Sequence, residues 1–184
     1  MQKSKLSRAV AALLLVSMIF GFGGCRKKPA PTTGGRVDNT DPNAPKVIES
    51  KDLADFNAAF YLRDRRTKAD SGTFRFDVRP NAEGSTIVVF EGVSGAEIET
   101  DASVLDAIRA IIDENELVSM NGVVSYTAGL DPDEFLCEVT ANYASGEKLH
   151  FRINNDWTAK WAEQLCDLFA ARFEAAGVEF LGEQ

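Results

Sequence analysis

The sequence predicts an α+β domain in which an antiparallel sheet of about six strands carries two helices on one face. Three observations predict it. The segments "FNAAFYLR", "GTFRFDVR", "EFLCEVTANY" and "EKLHFRI" alternate apolar with polar residues, the period of a half-buried strand. Two later stretches switch to the 3.6-residue spacing of an amphipathic helix. The order strand-strand-strand-helix also occurs twice, as a duplicated β-β-β-α unit would produce.

The chain begins with Lys3, Lys5 and Arg8, then the apolar run Ala9 to Phe22, then small residues before Cys25. That is the order of a secretory signal. As a helix, the uncharged stretch Ala9 to Gly24 would reach about 24 Å at ~1.5 Å per residue, short of the ~30 Å hydrocarbon core. Gly21, Gly23 and Gly24 weaken it further as a helix. Residues 1–24 therefore read as a cleaved signal peptide rather than a permanent span. "FGGC" resembles the lipobox of bacterial lipoproteins, in which a small residue precedes a cysteine that is diacylated and becomes the mature N-terminus. Gly23, Gly24 and Cys25 match that pattern, and Phe22 stands where an aliphatic residue is usual. The resemblance implies lipidation at Cys25 and a membrane anchor facing outside the cytoplasm, with ordinary signal cleavage nearby as the alternative. Two acyl chains anchor firmly where one is marginal.

Residues 25–46 follow as the lipidated cysteine and a tether. "RKKPAPTTGGRVDNTDPNAPK" holds four of the six prolines and no aromatic, so it is expected to stay disordered. The folded unit is expected over 47–184, long enough for one domain with a real core.

Within that unit, Phe56, Ala58, Phe60 and Leu62 form the inward side of the first strand, and Phe74, Phe76 and Val78 that of the second. "STIVVFEG" reads as a more buried strand, paired antiparallel to its predecessor through the turn "RPNAEGS". In "TDASVLDAIRAIIDENEL", Val104, Leu105, Ile108, Ile111 and Ile112 share one helical face, with Thr100 or Asp101 as the N-cap. "GVVSYTA" is a strand candidate. Phe135, Cys137 and Val139, then Leu149, Phe151 and Ile153, define the inward sides of a hairpin turning at Ala144 to Glu147. A last helix is expected from about Asp156, with Trp157, Trp161, Leu165, Leu168, Phe169, Phe173 and Ala176 broadly on one side and Gly177 as its stop. A sheet covered on one face leaves the other bare, and binding is expected there.

"ETDASVLDAIRAIID", "NGVVSYTAGL" and "YASGE" together resemble a group of small, uncharacterised lipoproteins from anaerobic gut bacteria, over about residues 50 to 175. The shared motifs are a helix cap, turns and a hairpin. The resemblance thus implies an exported lipoprotein but no particular activity and no functional residue.

Chemistry-bearing motifs are sparse. His150 is the single histidine; alternation turns it away from Leu149 and Phe151, towards solvent or the bare face. The acidic groups Asp131, Asp133, Glu134 and Asp113, Glu114, Glu116 lack both the ligand order of a calcium loop and the opposed placement of glycosidase carboxyls. Arg63, Arg65, Arg66 and Lys68 form the basic cluster of the folded part and read as a solvated loop. Trp157 and Trp161 fit helix-sheet packing. Cys137 and Cys166 would form an even pair once Cys25 is acylated, either a disulfide or two buried thiols. No catalytic residue, metal site or cofactor is expected. Formal charge is −8, and loss of Lys3, Lys5 and Arg8 with the signal takes it to −11. So acidic a body argues against nonspecific nucleic-acid binding. The expected partners are the membrane, through the lipid anchor, and an envelope protein or polymer, with the oligomeric state unspecified. The expected function is a membrane-anchored extracytoplasmic binding or protein-interaction module rather than an enzyme. Its rivals are a carboxylate-dependent hydrolase of a wall or dietary polymer, and an inhibitor of a secreted enzyme presenting residues 63 to 72 or 128 to 134 as a protruding loop.

Overall fold

A computed structural model describes residues 34–62, 73–82, 86–90 and 96–179. The signal segment, Cys25 and the basic cluster Arg63, Arg65, Arg66 and Lys68 lie outside the described residues. In chain order the strands are β1 (Arg36–Asp38), β2 (Leu53–Tyr61), β3 (Thr73–Pro80), β4 (Thr86–Phe90), β5 (Ala96–Thr100), β6 (Val124–Thr127), β7 (Leu136–Tyr143) and β8 (Lys148–Asn154). Helix α1 (Ser103–Glu114) follows β5, the single turn α2 (Pro132–Phe135) precedes β7, and α3 (Lys160–Ala175) closes the described chain. A 3₁₀ turn over Leu117–Met120 links α1 to β6.

The α+β class holds, with eight strands instead of about six, in the order β1-β6-β8-β7-β2-β3-β4-β5. The expectation of a wholly antiparallel sheet is corrected at one place: β6 runs parallel to β8, with Val124 opposite Arg152 and Ser125 opposite Ile153. Two strands were not expected at all. β5 carries a single buried apolar side chain, Ile98, between Glu97 and Glu99, too little for a local signal. β1 lies inside the stretch expected to be a disordered tether. It is held instead by β6, through the pairs Arg36–Thr127, Val37–Tyr126 and Asp38–Ser125. Arg36 also donates from Nε and Nη2 to Ser125 Oγ at 3.0 and 2.9 Å. The two halves do not share one pairing plan, because β2 to β5 form a meander whereas β6 sits across β8 from β7.

The strap after β1 stays bound to the body. The buried Asn121 side chain donates to the carbonyls of Pro45 and Lys148, each at 3.0 Å, and accepts the His150 N–H at 2.8 Å. Lys46 Nζ donates to the Asn121 carbonyl. Gly122 has φ +78°, and a Cβ there would sit 2.3 Å from Ala44 Cβ and 2.9 Å from the Asp41 carbonyl oxygen. Only glycine allows so close an approach at that backbone angle. At the β7–β8 turn, the Glu147 carboxylate accepts the N–H groups of Glu49 and Ser50 at 2.9 and 3.0 Å. Those bonds, with one from Ser145, hold its pKa below the usual carboxylate range.

Both long helices pack on one face of the sheet. Phe56, Ala58 and Phe60 of β2 point there with Phe74, Phe76 and Val78 of β3, and with Cys137, Val139, Leu149 and Phe151 of β7 and β8. A bulge between Leu53 and Asp55 breaks the alternation, which lets Leu53 and Phe56 reach the same core. Val104, Ile108 and Ile112 of α1, with Trp161, Leu165, Phe169 and Phe173 of α3, complete it. The Phe169 ring stacks on Phe76 at 4.0 Å between centroids, and Trp161 meets Phe60 and Phe151 edge-on at 5.5 and 6.1 Å. The helices are tied to each other at their rims. Lys160 Nζ reaches Glu114 at 2.7 Å, Asn115 donates to Gln164 at 2.8 Å, and Arg172 donates to Ser103 Oγ at 2.9 Å.

The ends of α1 and α3 follow from local chemistry. The N-cap of α1 is Ala102, not Thr100 or Asp101 as expected, and no side chain caps it; Asp101 Oδ1 instead accepts the Ser103 N–H at 2.8 Å in the turn leading into the helix. Helix α3 ends in a Schellman arrangement: Gly177, at φ +70°, donates to the Glu174 carbonyl, and Val178 to that of Phe173. Its start differs from expectation. Asp156 Oδ1 accepts both the N–H and the hydroxyl of Thr158, which holds residues 156–159 as a turn and delays the helix to Lys160. Trp157 is thereby removed from the helical period.

Candidate functional site

The face of the sheet opposite the helices is polar, and strand register sets what lies beside what. One row crosses four strands as Arg152, Glu138, Ala59 and Arg75. The next runs His150, Thr140, Asn57 and Asp77, and a third places Lys148 opposite Asn142 and Asn142 opposite Asp55. Side-chain bonds knit these rows. Thr140 Oγ1 lies 3.0 Å from His150 Nδ1, and Asn142 Nδ2 donates to Asp55 Oδ1 at 2.6 Å. The Glu138 carboxylate is 3.9 Å from His150 Nε2 and 3.8 Å from Arg152 Nε. Asp77 pairs with Arg79 on its own strand. The Arg152 guanidinium lies over the Tyr126 ring, 4.9 Å from its centroid, a cation–π contact between β8 and β6.

One end of this face is capped by a small aromatic cluster. Tyr61, Phe135 and Trp157 meet there, with Trp157 at 6.3 Å from Tyr61 and 5.8 Å from Phe135. The Trp157 indole donates to the Glu134 carbonyl at 3.4 Å. Phe135, expected on the inward side of β7, ends α2 instead, because the Asp131 carbonyl accepts the N–H of Phe135 at 2.9 Å and winds "DPDEF" into a helical turn. A pocket of about 180 Å³ lies beside this cap. Its lining is Ala59, Thr73, Arg75, Pro132, Leu136, Glu138 and Arg152. The first row explains the shape: Ala59 is the short side chain between two long charged ones, so the sheet dips at its position.

The residues singled out by sequence distribute as follows. His150 is on the polar face, as alternation requires, and is bonded into the second row. Cys137 and Cys166 are both buried in the helix-covered core and carry no bridge. Burial, with Glu138 and Asp156 adding negative charge nearby, pushes the Cys137 thiol up to about 12. Glu114 is occupied by Lys160 and Gln164, whose bonds hold its pKa down, and Asp113 lies near Arg109 and Lys51 at 3.2 and 3.7 Å. These acids brace helices. Trp161 is in the core, whereas Trp157 belongs to the opposite face. Cys25 and the loop 63 to 72 lie outside the described residues. Among the described residues no three His, Cys, Asp or Glu side chains converge as a metal-binding group. None of their helices is long and apolar enough to cross a membrane.

Arg75, Arg152, Ala59 and Tyr126 were not singled out by sequence. Alternation puts the first three on the polar side of their strands. Their grouping depends on register between strands up to ninety or so residues apart, which no local pattern carries. Comparisons with protein-family models, with curated proteins and with solved structures return no match.

Proposed function

We propose that the chain is an exported lipoprotein, cleaved before Cys25 and acylated on it, whose folded part is a binding module of the cell envelope and not an enzyme. The small-residue run into Cys25, behind a cationic and then apolar segment, supports the anchor. The observation that carries the binding role is the polar sheet face, one of two faces on the same strands, left uncovered by the long helices and indented by a charged pocket. Protein–ligand recognition favours such a concave site with a few fixed polar groups on a rigid frame. The partner is an envelope protein, a polymer or a small ligand.

Two measurements test this. Metabolic labelling with palmitate should mark the wild-type chain and not Cys25→Ala; equal labelling of both would remove the anchor. Capture from detergent-solubilised envelope should retain a partner on the wild type and lose it when Asn57 and Thr140, at the centre of the polar face, are both replaced by Arg. Capture that is indifferent to that change would place binding elsewhere.

A further inference from the structure

We infer that Asn121–Gly122 is a modification site: a self-cyclising pair that the docked strap keeps inert and that, once the strap lifts, converts and bars its return. It is the single Asn–Gly step in the sequence. Asparagine is chemically labile, and a following glycine has no Cβ to hinder attack on its carboxamide. The Gly122 nitrogen adds to Asn121 Cγ. The new N–Cγ bond closes a five-membered imide, the Cγ–Nδ2 bond breaks, and Nδ2 leaves as ammonia with the proton from the Gly122 nitrogen. Water then opens the imide at either carbonyl, giving its hydroxyl to that carbon and its proton to the nitrogen. The product is aspartate or isoaspartate at position 121.

The native geometry opposes each step. Asn121 is buried; its Nδ2 donates to the Pro45 and Lys148 carbonyls, and its Oδ1 accepts the His150 N–H. Those three bonds fix the carbon under attack. The Gly122 N–H, which has to be surrendered, donates to the His150 carbonyl at 2.8 Å. Ring closure needs the Gly122 nitrogen nearly eclipsed with the Asn121 Cβ, and ψ 134° at Asn121 keeps them apart. The strap supplies part of this restraint. Pro45 belongs to it, the Asp41 N–H donates to the Gly122 carbonyl at 2.9 Å, and Asp41 and Ala44 lie against Gly122. Lifting the strap therefore loosens both members of the pair.

Conversion makes the lifting permanent. An ionised carboxylate has no N–H to give, so the Pro45 and Lys148 carbonyls lose their donor and face a negative charge. Lys46 Nζ, held on the Asn121 main-chain carbonyl, offsets part of that charge and replaces neither bond. Isoaspartate lengthens the main chain at the point where the strap touches Gly122 too closely to admit even a Cβ. Either product leaves the strap without its buried attachment.

Peptide mapping by mass spectrometry tests this on the purified full chain, held in mildly alkaline buffer with and without urea. Position 121 should convert at least tenfold more slowly in the native chain, because there it reacts only through local opening. Glu147→Ala removes the acceptor of the Glu49 and Ser50 N–H groups, at the far end of the strap, and should speed native conversion several-fold. Chain converted in urea and returned to native buffer should leave the Asn39 and Asp41 amides open to hydrogen exchange while Val139 stays protected. Unconverted chain passed briefly through urea should regain protection at all three. Equal conversion with and without urea, indifference to Glu147→Ala, or full protection of Asn39 and Asp41 in the converted chain would each overturn the inference. Loss of Val139 protection as well would overturn it too, since the damage would then reach the whole fold and not the strap.

Discussion

The two faces of this sheet are built from the same strands and answer to opposite demands. On the helix-covered face Phe56, Phe60, Phe74, Phe76 and Phe151 are fully buried and meet Phe169 and Phe173 from α3. On the other, two residues along each strand and one residue out of phase, stand Arg75, Asp77, Glu138, His150 and Arg152. Period-two alternation is what separates them, so a substitution on one face leaves the chemistry of the other in place. Stability is concentrated on the first face, and the binding role proposed above belongs to the second. The aromatic cap of Tyr61, Phe135 and Trp157 is where that division is least clean.

The comparison is broken most forcefully at Phe169. Phe169→Ala removes a fully buried ring stacked on Phe76, and should cost about 3–5 kcal/mol. In a domain of this size that lowers the melting temperature by roughly 6–20 °C. Cys137 reports the same face through pH. Its thiol is held up to about 12 in the folded chain and ionises near 8.5 when unfolded, so its contribution is complete below about 8.5 and is lost as pH rises towards 12. The slope is at most ~1.4 kcal/mol per pH unit, and Cys137→Ala should flatten it in alkaline melts. A native thiol that reacts with Ellman's reagent at pH 8 as fast as the unfolded one would contradict this burial.

Trp157→Ala sharpens the boundary between the faces. It should cost about 1–3 kcal/mol, less than a core ring, because Trp157 is half-buried, at the rim with Tyr61 and Phe135. Loss equal to that of Phe169→Ala in chemical denaturation would mean that the cap is part of the main core. Smallest is Arg152→Gln, which should change stability by no more than ~0.5 kcal/mol, since its nearest charged partner is 3.8 Å away at a partly exposed site. A large drop in its denaturation midpoint would make Arg152 a structural residue and erase the division of labour.

Much of the fold was legible because its signals are local. The alternation around Phe60, Phe76, Val139 and Phe151 marks four strands, and the spacing Val104, Ile108, Ile112 marks α1. What escaped depends on partners distant in sequence. β1 is three residues amid prolines and glycines, and only the facing strand Val124–Thr127 makes it a strand. The parallel β6–β8 pair leaves no trace in either segment. Trp157 fits the helical period of α3, but two hydrogen bonds donated by Thr158 to the Asp156 carboxylate override that period. The polar face itself was foreseeable from alternation, whereas the pocket was not: it needs Ala59 aligned between Glu138 and Arg75, which only the register supplies.

The pairing of β1 with β6 has a bearing on how the chain matures. Arg36 and Ser125 are 89 residues apart, so the first of the described strands to be synthesised has nothing to pair with until most of the polypeptide has followed it. It should be the last piece added and the first to fray, and amide exchange of Val37 should outpace that of Val139 by orders of magnitude. Until it docks, the outer edge of β6 is an open seam to which a neighbouring polypeptide could anneal.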